Sequence, residues 1–294
     1  MISITRVKVT GFSRRYLDVD WEIAPTNDDL QEWEFYLERS EAEAGPFQVI
    51  AGPLVDRYHV RDNTTPQISL NRLLFYRVRA VNKHRSIEFY SEVADREGRE
   101  DLIAAEIGSL ETMLFEEFVG TLCWLFPRRT FGQRCPQCFD SVLGKRIDDS
   151  CPTCFGTGFS GGYHYPIQFS AQFDKAPRVD QVSTHDLHQQ VVVGMRCPAS
   201  PRVSPQDLVI DHRNRRYRVV SAAATSRLGV DVHQEVQAVE LQPGSVEDAL
   251  ELQVDHRNLA LAGHRNFTNP QCPEEAGVAP DGALDNILGR YGFR

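Results

Sequence analysis

The residues with most chemical potential in this sequence are its seven cysteines, four of which fall into two pairs. Cys135 and Cys138 frame C-P-Q-C, and Cys151 and Cys154 frame C-P-T-C, with twelve residues between the pairs. Two C-x-x-C knuckles on separate turns, joined by a short loop, bring four soft thiolates to one point, as a tetrahedral Zn²⁺ requires. Four thiolates fill the coordination sphere and leave no position for a reactive water, so the predicted zinc is structural. Pro136 and Pro152 stiffen the turns between ligands, and Gly156 and Gly158 permit positive φ where the backbone doubles back past the metal. The competing readings are two disulfides or four unrelated buried thiols. Met1 to Val9 alternates like a strand and lacks the apolar core of a signal peptide, so reduced thiols are expected. His164 is near enough in sequence to replace one ligand, but a lone histidine between Tyr163 and Tyr165 reads first as packing or surface. Cys123 reads as a small core residue.

Other catalytic chemistry is sparse. His185, Asp186 and His188 occupy a polar loop without a partner motif. The sequence contains no G-x-S-x-G, no phosphate-binding glycine loop and no H-E-x-x-H. A non-enzymatic role is therefore expected.

The elements that must position the cysteines read as mainly β with one long helix. Residues 1–95 carry short alternating runs, Tyr16 to Trp21, Trp33 to Arg39 and Leu74 to Asn82, with a last strand from Ser86 to Val93. They predict a β-sandwich with Leu17, Val19 and Trp21 on its inner face. Residues 96–126 form a charged linker and an amphipathic helix over about 100–125, where Ile103, Ile107, Leu110, Leu114, Phe118 and Leu122 recur at three- and four-residue steps. Met113, Phe115 and Trp124 widen the stripe, and Ile103, Ile107, Leu110, Leu114 and Phe118 are candidate subunit-interface residues. Residues 127–163 hold the knuckles. Residues 164–250 predict a small β-barrel, including strands at 190–193 and 208–211, a hairpin over 207–221 and a closing strand over 232–241. Residues 251–294 lack a period and read as an extended arm, with Leu288, Tyr291 and Phe293 as candidate anchors.

At 294 residues the chain should fold as two or three compact units. No apolar run approaches a membrane span. The net charge of -9 disfavours a surface that grips phosphate throughout. Arg128, Arg129, Arg134, Lys145 and Arg146 crowd the knuckles all the same. They read as a solvated face paired with Asp148 and Asp149, or alternatively as a DNA contact.

Three resemblances add to this reading. Trp21, the Gly45-Pro46-Phe47 turn and the strand Phe75-Tyr76-Arg77-Val78-Arg79-Ala80-Val81-Asn82 resemble a fibronectin type III domain, which implies that Tyr76 packs at a corner. Residues 204–211, Tyr217-Arg-Val-Val220 and the 232–241 strand resemble the small barrels of tailed-phage head-completion and head-tail connector proteins. The segment from Pro127 through both knuckles to Tyr163 is similar to a zinc-knuckle segment in phage virion structural proteins that also carry a fibronectin-like domain. Together they imply a structural virion protein of the neck, assembled in the host cytoplasm as a homo-oligomeric ring. Its neighbours would be portal or adaptor, tail or neck components, with DNA passing through without sequence-specific binding and without membrane contact. C-P-T-C-F-G-T-G is also similar to the C-x-x-C-x-G-x-G repeats of the DnaJ chaperone zinc region, which this chain carries without the repeats' usual number or a His-Pro-Asp helical domain. The alternatives are thus a zinc-containing nucleic-acid-binding protein and, after it, a co-chaperone module.

Overall fold

The computed structural model describes residues 2–250 except for 14, 65–73, 86, 96–101, 175–177 and 182–188. The arm with Leu288, Tyr291 and Phe293, and the loop with His185, Asp186 and His188, lie outside the described residues. The described chain is mainly β, with one α-helix and a closed six-stranded barrel.

The N-terminal region forms two antiparallel sheets. One contains β1 (Ile4–Thr10), β2 (Leu17–Ile23) and β5 (His59–Asp62) in the order β1-β2-β5. The other contains β3 (Trp33–Ser40), β4 (Gln48–Leu54), β6 (Phe75–Asn82) and β7 (Glu88–Tyr90) in the order β4-β3-β6-β7. The last strand is thus shorter than the expected 86–93 run. Strand alternation aims Leu17, Val19 and Trp21 from the first sheet and Trp33, Phe35, Leu37, Tyr76, Val78 and Ala80 from the second into one shared core. Tyr76 is fully buried, and its hydroxyl donates to Asp62 Oδ2 at 2.9 Å. The other Asp62 oxygen accepts from the Thr64 N–H at 2.9 Å. A buried phenol therefore ties β6 to the end of β5.

The helix α1 (Leu102–Leu114) continues into a wider π-type turn over Phe115–Val119. It stops there, short of the expected residue 125, and β8 (Thr121–Phe126) follows. The helical spacing runs on through residue 122 because β8 is buried on both faces, so Leu122-Cys123-Trp124-Leu125-Phe126 has no polar side to mark a strand. Cys123 and Trp124 thus lie on a strand, and Cys123 is a buried core residue as expected.

The barrel takes its first strand from this segment, earlier than residue 164. Its ring is β11 (Ile167–Phe173), β8, β14 (Leu208–Asp211), β15 (Arg216–Arg227), β16 (Val230–Glu240) and β13 (Gln189–Pro198), closed by β11 pairing with β13. β12 (Arg178–Gln181) adds to β13 outside the ring. Cys123, Leu125, Phe169, Ala171, Met195, Cys197, Val209, Tyr217, Val219, Val236 and Ala238 fill the interior. The β14–β15 hairpin turns on Asp211, whose Oδ1 accepts from the N–H groups of Arg213 and Arg215, both at 2.8 Å. Neighbouring strands β8 and β11 are joined by the entire cysteine segment, which is thus an insertion in the barrel wall.

Removing the Tyr76 hydroxyl leaves the Asp62 carboxylate short of a donor without opening a cavity. Tyr76→Phe should lose about 1–3 kcal/mol of stability in urea titration. A loss near zero would mean that the corner bond is dispensable.

Candidate metal centre

The insertion leaves and re-enters the barrel through a narrow stem. Arg128 bridges to Tyr163 and Arg134 to Phe159, and Arg129 N–H donates to Gly162 O at 3.0 Å. Beyond the stem the knuckles form two tight turns, with Phe139 N–H on Cys135 O at 3.2 Å and Phe155 N–H on Cys151 O at 2.9 Å. Between them Phe139–Asp140 and Lys145–Arg146 make a short antiparallel ribbon, β9 and β10. Gly156 has φ +71°, and a Cβ there would sit 2.6 Å from the Asp149 carbonyl oxygen. Only glycine fits the second knuckle at that point.

Cys135, Cys138, Cys151 and Cys154 are all buried, and their sulfur atoms lie within 4.8 Å of one another. The closest approaches run between knuckles, Cys135 to Cys151 at 3.8 Å and Cys138 to Cys154 at 3.3 Å. Both are far beyond the ~2.05 Å of a disulfide. The first equals, and the second is somewhat shorter than, the roughly 3.8 Å edge of a tetrahedron built on metal–sulfur bonds of about 2.3 Å. The donor set is therefore compatible with one four-coordinate metal ion, held by thiolates alone.

The electrostatics point the same way. Burial, reinforced by hydrogen bonds from the other three thiols, pushes Cys138 well above the ordinary thiol range. Burial also raises Cys154. At Cys151 burial acts upward too, but the N–H groups of Thr153 and Cys154, together with the thiols of Cys154 and Cys135, outweigh it and hold that thiol at about 7. One thiolate is accommodated by these donors, whereas four negative sulfurs in one buried space need a cation among them.

The insertion is also anchored outside the cysteines. Asp56 is buried and accepts from His164 Nδ1 at 2.8 Å and from the Arg129 guanidinium. Arg129 spends its other donors on Tyr163 O at 3.0 Å and Ser160 O at 2.7 Å. Phe131 and Tyr58 flank the His164 ring, each with its centroid 5.1 Å away. His164 is thus a packing residue that joins the insertion to the N-terminal sheets, and it stands apart from the four-sulfur cluster.

Arg129 departs from the solvated face expected of the basic residues, because it is buried and fully engaged. Arg134 lies over the rings of Phe139 and Phe159 at 4.8 and 4.3 Å, and Arg146 pairs with Asp149 at 2.6 Å. Arg128 donates to Gly156 O at 3.5 Å, while Lys145 is exposed. Asp56 and Tyr58 carry no motif and lie about a hundred residues from His164, so sequence spacing gave no signal for them.

The candidate interface residues of α1 share one solvent-facing surface. Phe118 is 71% exposed, Ile103 56% and Leu110 49%, with Ile107 and Leu114 also exposed. The inward face of the helix, which packs on β16 and β13, carries small residues instead: Ala104, Gly108 and Thr112 are buried, along with Phe115. Phe12 fills the space at Gly108, where a Cβ would come within 2.7 Å of its ring.

No protein-family model and no curated protein matches this chain. The function is therefore argued from the geometry above.

Truncating Asp56 would strand a buried guanidinium. Asp56→Ala should cost about 3–5 kcal/mol in denaturant titration. It should leave the metal content unchanged, since the cysteine turns are bonded within themselves. A cost under about 1 kcal/mol would show that the anchor contributes little.

Proposed function

We propose that the chain is a structural subunit of a tailed-bacteriophage virion. It forms part of a homo-oligomeric ring in the neck or head-tail connector, and its four cysteines hold structural zinc. The observation that carries the assembly role is the reversed helix, with large apolar side chains facing solvent and small ones facing the barrel. Met113 and Val119 beside it are exposed as well, so seven large apolar side chains face solvent between residues 103 and 119. Clustered exposed apolar side chains of this size mark an interaction surface.

Zinc suits the donor set, because four buried thiols whose sulfur atoms lie within 4.8 Å of one another favour a closed tetrahedral site with no labile position. The two N-terminal sheets sharing one core, and Tyr76 bonded at the end of β5, support reading residues 1–95 as fibronectin type III-like. In such a subunit the barrel, helix and arm would meet neighbouring copies or other neck proteins around a DNA passage. The metal would keep the insertion rigid where its chain is too short for a core of its own. A role in gripping nucleic acid gains less support, since Arg129, Arg134 and Arg146 are engaged within the fold. Among the described residues no helix is long and apolar enough to cross a membrane.

The test is the mass of the purified full chain by sedimentation velocity across a concentration series, beside the double variant Ile107→Glu, Leu110→Glu. The wild type should associate into ring-sized species. The variant should remain monomeric with an unchanged melting temperature, because both side chains already face water. A wild type that stays monomeric at every concentration, or a variant that assembles as well as the wild type, contradicts the proposed helix interface.

A further inference from the structure

The tip of the cysteine insertion carries apolar side chains that neither the metal centre nor the core uses. Val142 is 91% exposed, Leu143 61% and Ile147 70%, all within six residues of one another. Single apolar side chains scattered over a surface are ordinary, but three large ones in so short a loop are not. Turns favour glycine, asparagine, aspartate and serine, so a valine and a leucine at this position serve something other than the turn.

The tip is built before anything touches it. β9 and β10 pair Phe139 with Arg146 and Asp140 with Lys145. Between the two strands Asp140 Oδ1 accepts from the N–H groups of Val142 at 2.7 Å and Leu143 at 3.2 Å, and Gly144, at φ +65°, returns the chain. At the base of the ribbon Ile147 N–H donates to Cys138 O at 2.8 Å, which ties the loop to one of the clustered cysteines. A loop braced in this way loses little conformational freedom when it docks.

The charges select the surface on which it docks. Among the acids of the tip, Asp140 is bound as above, Asp148 accepts from the Ser150 hydroxyl at 2.8 Å, and Asp149 pairs with Arg146. Lys145 is exposed and has no ion-pair partner among the described residues. The outward face of α1 is the converse. Glu106 flanks it beside Ile103 and Leu110, and Glu111 flanks it beside Ile107 and Leu114, each at three- and four-residue steps. No lysine or arginine occurs between residues 102 and 119. Two such helices laid face to face would bring like charges together, and a two-fold contact of that kind closes at two copies. A larger ring needs two different surfaces on every chain.

We infer that the insertion tip, through Val142, Leu143 and Ile147, docks on the α1 face of a second copy of this chain, with Lys145 set against the acids that flank that face. The inference rests on the assembly reading of α1 and names what covers it. Copies joined tip to helix run head to tail, so each chain gives one surface and receives the other until the ring closes. The metal centre then acts on assembly through the loop it braces.

The experiment is sedimentation velocity on the full chain as wild type, as the tip variant Val142→Ser, Leu143→Asn, as the helix variant Ile107→Glu, Leu110→Glu, and as an equimolar mixture of the two variants. Each variant alone should stay monomeric at concentrations where the wild type is fully assembled. The mixture should form a complex of two chains and nothing larger, because the intact tip of one variant meets the intact helix face of the other and the remaining surfaces are spoiled. A single contact lacks the reinforcement of a closed ring, so the mixture is measured at concentrations on the order of 100 μM. The mixture also keeps the test sound if the substituted tip misfolds, since that variant contributes only its helix face. A tip variant that assembles like the wild type, or a mixture that stays monomeric, would overturn the inference and leave the helix interface standing. A wild type that stays monomeric would remove the assembly reading itself, and the inference with it.

Discussion

Four sulfur atoms in one buried space constrain everything around them. A thiolate is costly to bury alone, and four together repel one another unless a cation sits between them. The N–H groups of Thr153 and Cys154, with the neighbouring thiols of Cys154 and Cys135, favour a thiolate at Cys151, while Cys138 and Cys154 are held above the ordinary thiol range. The sequence from 127 to 163 has few apolar residues with which to form a core, and Val142, Leu143 and Ile147 are exposed. Its shape therefore depends on whatever the thiolates bind. That dependence explains the left-handed backbone at Gly156 and Gly158, which draws the second knuckle in behind the sulfurs.

The insertion in turn completes the two regions it touches. On the barrel side, Tyr163 and Phe155 cover the outer face of β8 and β14, where Phe126, Leu208 and Ile210 would otherwise face water. On the other side, Phe131 packs on the N-terminal core and Asp56 holds Arg129 and His164. The segment thus acts as a wedge with a metal-type centre at its outer end and a buried ion cluster near its base. Burial of an ion pair gives little net stability by itself, but it is intolerant of a missing partner, which makes it a device for fixing one docking geometry.

Much of this was legible in the sequence where local chemistry decides structure. The C-P-Q-C and C-P-T-C spacing identified all four clustered residues, and period-two alternation located β2, β3, β6 and the β14–β15 hairpin. The helical spacing overruns the end of the helix because Leu122 to Phe126 is apolar on both faces, which erases the signal that separates strand from helix. Nothing near Arg129 in the sequence marks it as buried, because its partner, Asp56, is 73 residues away. Contacts made by folding across such distances leave no trace in spacing or composition.

The helix α1 shows how the same pattern can carry opposite meanings. An apolar stripe normally faces the core, yet here the bulk lies outward because Gly108 and Ala104 let the helix approach the barrel closely, with Phe12 filling the gap. This geometry leaves surface for other chains, whereas the cysteine centre governs whether the chain reaches that geometry at all. The account is tested most directly by native mass spectrometry of the full chain, which weighs the folded protein with whatever metal it retains. It predicts one zinc ion per chain, bound with all four thiols deprotonated and lost when Cys151 is changed to Ser. A metal-free folded chain, carrying either four free thiols or the mass deficit of two disulfides, would contradict it.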